Sequence, residues 1–128
     1  MSKLTEVVYR GEAFSIEAYC LDDGESLVIQ WLDGLPQKHQ VRLAVLFERL
    51  GDHGKIYNEQ KFKHLTGTEQ LFEFKVDNVR VLSFFFSGKR VILTHGLVKK
   101  SAKTPKREIE RAHKIKSEFV RRFEDENK

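Results

Sequence analysis

The chain has 128 residues, 40% hydrophobic and 33% charged, with ten Phe and a net charge of +4. That length fits one domain with one core, and the apolar content excludes a disordered chain. No apolar run approaches the ~20 residues of a membrane helix, "MSKLTEVVYRGEAF" lacks the apolar centre of a signal peptide, and one cysteine, Cys20, excludes an internal disulfide, so the expectation is a soluble protein of the reducing cytoplasm with Cys20 buried in a strand.

In chain order, "EVVYRG" (6–11) reads as an extra strand or an arm, and "FSIEAYCL" (14–21) as a strand. After the turn "DDGES", a short helix is predicted over 26–34, with Ser26 as its N-cap and Gly34 closing it. Pro36 opens a second helix, in which Leu43, Leu46, Phe47 and Leu50 form one apolar face and Gly51 is the stop. Trp31 is expected between these two helices. Residues 51–70 read as polar and irregular. "GDHGKI" lacks the spacing and the Ser/Thr of a phosphate loop. His39, His53 and His64 have no paired cysteines, so solvated histidines are expected rather than a metal site.

Three consecutive strands come next. "LFEFKV" places Phe72, Phe74 and Val76 on one face and Leu71, Glu73 and Lys75 on the other, and Asp77–Asn78 makes a two-residue turn. "VRVLSFFF" (79–86) is apolar on both faces, as a central strand should be, and "VILTHGLV" (91–98) is the third strand. A last helix begins with Thr104 as N-cap and Pro105 at N1, turns Ile109, Ala112, Phe119 and Phe123 to one face, and ends in a frayed "EDENK". The expected fold is α+β: a small antiparallel sheet with two N-terminal helices and a C-terminal helix gathered on one side. One domain spans 1–128, with its core at about 14–120.

The charge is unevenly spread. Residues 1–98 hold 12 Lys/Arg against 13 Asp/Glu, and residues 99–128 hold 11 against 6. A localised basic segment suits a polyanionic partner, and it equally suits a solvated helix face. The Asp77–Asn78 turn sets Lys75 opposite Arg80. Such a like-charged pair either splays into water, is neutralised in part by Glu73, or holds an anion between its members. If the next turn centres on Ser87–Gly88, Arg80 lies opposite His95; a three-residue turn breaks that pairing. Together Lys75, Arg80, His95, Lys99 and Lys100 form a group that can hold a phosphate and stabilise a phosphorane by charge, with no metal and no cofactor, while an imidazole moves the proton.

The stretch "LFEFKVDNVRVLSFFFSGKRVILTHGLVKKSAKTPKREIERA" (71–112) resembles the phage-derived branch of the RelE/HigB/ParE toxin superfamily. Glu73-Phe74-Lys75 stands at that branch's E-L-R, Arg80 at its strand arginine, and "HGLVKK" and "KTPKREIERA" match its later motifs. "GESLVIQWLDGLP" and "LFERLGDHG" resemble its paired N-terminal helices.

The resemblance implies the toxin of a type II toxin–antitoxin pair. RelE- and HigB-like members are metal-independent endoribonucleases (mRNA interferases) that cut mRNA on the ribosome through attack of a 2′-hydroxyl. Carried over residue by residue, Arg80, His95 and Lys75 are the catalytic candidates and Lys99, Lys100 and Lys103 the RNA-binding ones. The implied partners are mRNA on the ribosome and a cognate antitoxin, usually a helix-turn-helix protein. Two departures bear on catalysis. Lys75 replaces an arginine and so loses its bidentate fork. Val79 replaces a tyrosine, and no tyrosine occurs after Tyr57. The same fold also serves ParE-like gyrase inhibitors, and a decayed member would still bind antitoxin or RNA.

Overall fold

The computed structural model describes residues 3–68 and 70–128. Its elements are β1 (Thr5–Arg10), β2 (Ser15–Tyr19), α1 (Leu27–Asp33), α2 (Gln37–His53), β3 (Phe62–His64), β4 (Leu71–Val76), β5 (Val79–Phe86), β6 (Arg90–Val98) and α3 (Lys106–Glu126). The strands form one sheet in the order β1-β2-β6-β5-β4-β3. Every neighbouring pair is antiparallel except β2 and β6, which run parallel. Parallel neighbours need a long crossover, and here α1, α2 and the β3–β5 meander supply it. The arm at 6–11 is thus an edge strand, and the irregular 51–70 segment contributes the short edge strand β3.

The helices do not gather on one side, as the sequence suggested. Val79 and Val81 of β5 join Ile16, Leu43, Phe47, Leu50 and Phe74 in a core under α1 and α2. Leu82 and Phe84 of the same strand join Leu71, Ile92, Ala112 and Phe119 in a second core under α3. A strand that is apolar on both faces needs cover on both, and α3 provides the second layer.

Ser26 caps α1 by accepting a hydrogen bond from the Ile29 N–H at 3.2 Å. Helix α2 runs past Gly51 and closes at Gly54, whose φ of 77° is the left-handed cap. Gly51 sits in the last turn, where its spare carbonyl accepts the Ala13 and Phe14 N–H groups (2.8 and 2.9 Å) and where a Cβ would run into the Tyr9 ring. The Gly11 backbone packs directly on it, leaving no room for a side chain on Gly11. Trp31 lies over Gly96 of β6, rather than between the two helices; a Cβ at Gly96 would run into its ring.

Candidate functional site

The β4–β5 turn is the expected two-residue one. Val76 pairs with Val79, Lys75 lies opposite Arg80, and Asp77 takes the left-handed conformation at φ 53°. The β5–β6 turn has three residues, with Gly88 and Lys89 at φ 82° and 58°, so Phe86 pairs with Arg90. A bulge then takes up Thr94, since Ser83 pairs with Leu93 but Leu82 with His95. Arg80 therefore faces Leu97, and the Arg80–His95 pairing does not occur. The bulge re-aims the side chains beyond it. Leu93 points into the α1/α2 core, while His95 and Leu97 point to the α3 side.

Arg80 does not splay into water; it is only 9% exposed. One terminal nitrogen donates to the carbonyls of Asp77 (2.6 Å) and Val79 (2.9 Å), which pins the guanidinium to its own hairpin. Its Nε lies 3.9 Å from Glu73 Oε1, too far for a hydrogen bond, and the Nε–H is buried without a partner. Lys75 and Lys99 both have their ammonium pKa lowered. Burial is the main cause for each; Arg80 and Lys63 act on both, and Lys75 also acts on Lys99. Glu73 opposes the shift in both cases, and Glu59 opposes it at Lys75. Four cations thus share one region with two carboxylates, and one cation is a buried guanidinium with a donor to spare. Buried donors are rarely left unpaired in a finished structure. An anionic oxygen, carboxylate or phosphate, is an acceptor such a group can take, and the nearest one here is Glu73 Oε1 at 3.9 Å.

The basic linker reaches this region in two ways. Lys99 N–H donates to Asn78 O (2.7 Å), prolonging the β5–β6 ladder by one rung, and Lys99 Nζ donates to Ala102 O (2.7 Å). Thr104 does not cap α3. Pro105 holds the cap position without a side-chain bond, and the Thr104 hydroxyl donates instead to the buried Glu73 carboxylate at 2.6 Å. Lys100 and Lys103 stand exposed on the same linker.

His95 is buried and engaged elsewhere. Its Nε2 lies 3.1 Å from Glu108 Oε1 in the first turn of α3, and its Nδ1 lies 3.2 Å from Thr94 Oγ1. Burial pushes its pKa below the usual histidine value, and Arg111 adds to that, while Glu108 pulls upward. The sequence reading missed Lys63, because it missed β3. The alternating "KFKH" was the available signal: β3 pairs Lys63 with Glu73 and buries Phe62.

Residues 30–117 match the family described as Phage derived protein Gp49-like (DUF891). The chain belongs to this family. The Gp49-like family lies in the RelE/HigB toxin superfamily, and an antitoxin partner is in keeping with it. The match takes in α2, β3 to β6 and the first half of α3, and with them every residue of the cationic site. No curated protein matches the chain. Among the described residues, no helix of this Gp49-like protein is long and apolar enough to cross a membrane.

Proposed function

We propose that this chain is a single-domain toxin of a type II toxin–antitoxin pair that cleaves mRNA on the ribosome without a metal. The observation that carries the reading is the buried Arg80 guanidinium, pinned by its own turn, with an unpartnered Nε–H and with Lys75 and Lys99 beside it. A fixed guanidinium stabilises charge developing on a phosphorane without reorganising first. Arg80 and Lys75 hold the scissile phosphate, and Lys99, Lys100 and Lys103 hold the flanking backbone. The RNA 2′-hydroxyl attacks the neighbouring phosphorus, forming a 2′,3′-cyclic phosphate, and the 5′-oxygen of the next nucleotide leaves with a proton taken from water. Burial and Arg111 favour an uncharged His95, so the role we assign it is that of a base for the 2′-hydroxyl, after release from Glu108. The antitoxin of this reading is a helix-turn-helix protein.

The test is primer extension on mRNA in a reconstituted translation system. Wild type cuts, and Arg80→Ala lowers the rate by roughly 10²–10³-fold, as loss of one preorganised donor does. His95→Gln lowers it by roughly 10²–10⁴-fold. Lys75→Arg preserves or raises activity, because it supplies the missing fork. Cleavage that survives Arg80→Ala overturns the assignment. A wild type that cuts nothing and blocks gyrase supercoiling makes the protein a gyrase inhibitor instead.

A further inference from the structure

The β2–β6 pairing ends at Ala18 and Leu93. Beyond it the chain of β2 turns away, and the Cys20 N–H donates to Leu4 O on the β1 side. Among the described residues, positions 94–98 of β6 therefore have a strand neighbour only on the β5 side. A cavity of about 410 Å³ opens off this edge between α1 and α3. Its two walls differ. The α1 wall is apolar, with Trp31 and with Leu27, which is 48% exposed. The α3 wall carries Arg111 and Lys114, both exposed, and neither makes a hydrogen bond or ion pair among the described residues. Glu118, on the same wall, is engaged by the Tyr19 hydroxyl at 3.4 Å.

An unpaired strand edge is a template for another strand. Five residues of edge span about 16 Å, enough for one short segment. A strand laid there points alternate side chains to opposite faces of the sheet. α1 and α3 cover opposite faces, so one set of side chains meets Leu27 and Trp31 while the other meets two unpaired cations. The recognition pattern is therefore an alternation of apolar and acidic residues.

We propose that the open edge of β6 takes up an extended acidic segment of a partner protein as an added strand, its apolar side chains against Leu27 and Trp31 and its carboxylates against Arg111 and Lys114. This surface does not depend on the assignment of RNA cleavage to Arg80.

The probe is the blocked pentapeptide Val-Glu-Val-Glu-Val, added to the full chain. Trp31, the chain's one tryptophan, reports by fluorescence, and amide shifts of residues 94–98 report by NMR. Saturable binding with shifts centred on 94–98 is expected. The same peptide N-methylated at alternate residues, which removes the donors of the added strand, should not bind. Arg111→Glu with Lys114→Glu should weaken the acidic peptide at least tenfold and admit Val-Lys-Val-Lys-Val. Absence of saturable binding overturns the proposal. Equal binding of the N-methylated peptide also overturns it, because the cavity would then take side chains or a small molecule rather than a strand. Undiminished binding to the double variant overturns the acidic partner. If that variant fails to fold, the N-methylated comparison on the wild type still decides.

Discussion

The Thr104 hydroxyl donates to the Glu73 carboxylate of β4 at 2.6 Å, across 31 residues of sequence. This bond ties down the segment that carries Lys99, Lys100 and Lys103, and it occupies one oxygen of the same carboxylate that flanks Arg80. The linker's position and the local charge balance thus share one residue.

Thr104→Val is expected to lower stability by about 1.5–3 kcal/mol, the usual worth of a hydrogen bond to a charged group. Denaturant unfolding measures that loss, and amide exchange across 99–105 should speed up by more than it does in α2. An unchanged exchange rate would mean that the linker is held by something other than this bond.

Glu17 and Arg90 make a bidentate pair at 2.9–3.2 Å, and Thr5 donates to the same carboxylate at 2.6 Å. Burial alone would raise the Glu17 pKa; the bonds from Arg90 and Thr5 outweigh it and bring it below the ordinary 4.5. A carboxylate held low adds stability above its unfolded pKa, and that stability is lost as the pH falls through the lower folded value. Arg90→Met strands a buried charge and should cost about 3–5 kcal/mol at pH 7. The gap between variant and wild type should narrow as the pH drops below about 4.5. A gap that is constant from about pH 7 to pH 3 would assign the loss to the packing of Arg90 against Phe86 and Phe119.

The strands of the meander and the Lys75–Arg80 opposition were legible in the sequence, because period-two alternation and a two-residue turn fix a register by counting. The features that were not legible came from places where counting fails. The three-residue turn at Ser87–Lys89 and the Thr94 bulge each shift the register by a residue. Neither leaves a compositional mark, so the sequence leaves the Arg80–His95 pairing conditional on the turn, and the structure places His95 with Glu108 instead. Thr104 ahead of Pro105 has the composition of a helix cap, and only the tertiary fold brings a buried carboxylate near enough to claim its hydroxyl. Strand β3 is three residues long, so the alternation in "KFKH" is its one signal and is too short to outweigh the polar composition around it.

His95 should titrate below the usual histidine range in an NMR pH series. Arg111→Gln should raise its pKa by removing a repelling cation, and Glu108→Gln should lower it further by removing the partner that favours the charged form. Because the folded pKa lies below the unfolded one, His95 makes the protein less stable as the pH falls through the unfolded value near about 6.5. Movement of the two variants in the same direction would refute this account of the site.

Gly96→Ala drives a methyl group into the Trp31 ring and should cost about 1–3 kcal/mol, as overpacking does. Combined with Trp31→Leu, the Gly96→Ala penalty should fall by more than half in a double-mutant cycle. Strict additivity would place the strain somewhere other than this contact.

RNA affinity should fall steeply with salt. Lys99→Ala and Lys63→Ala should each flatten the slope by about one unit if each residue holds a phosphate. An unchanged slope for Lys63→Ala would confine the nucleic-acid path to the linker side of Arg80.

The Thr94 bulge makes β6 a strand written in two phases. Up to Leu93 its odd-numbered residues face α1 and α2; from His95 onward they face α3. A one-residue insertion at this point would not merely lengthen the strand. It would turn its last few residues inside out, sending Gly96 towards α3 and Leu97 against the Trp31 ring, whereas deletion of Thr94 would remove the bulge, set Leu93 and His95 in regular alternation and leave every later residue on its present face. The tolerance of this chain to insertion and deletion is therefore set by parity as well as by length, and a one-residue insertion between positions 93 and 95 should be far more damaging than the loss of Thr94.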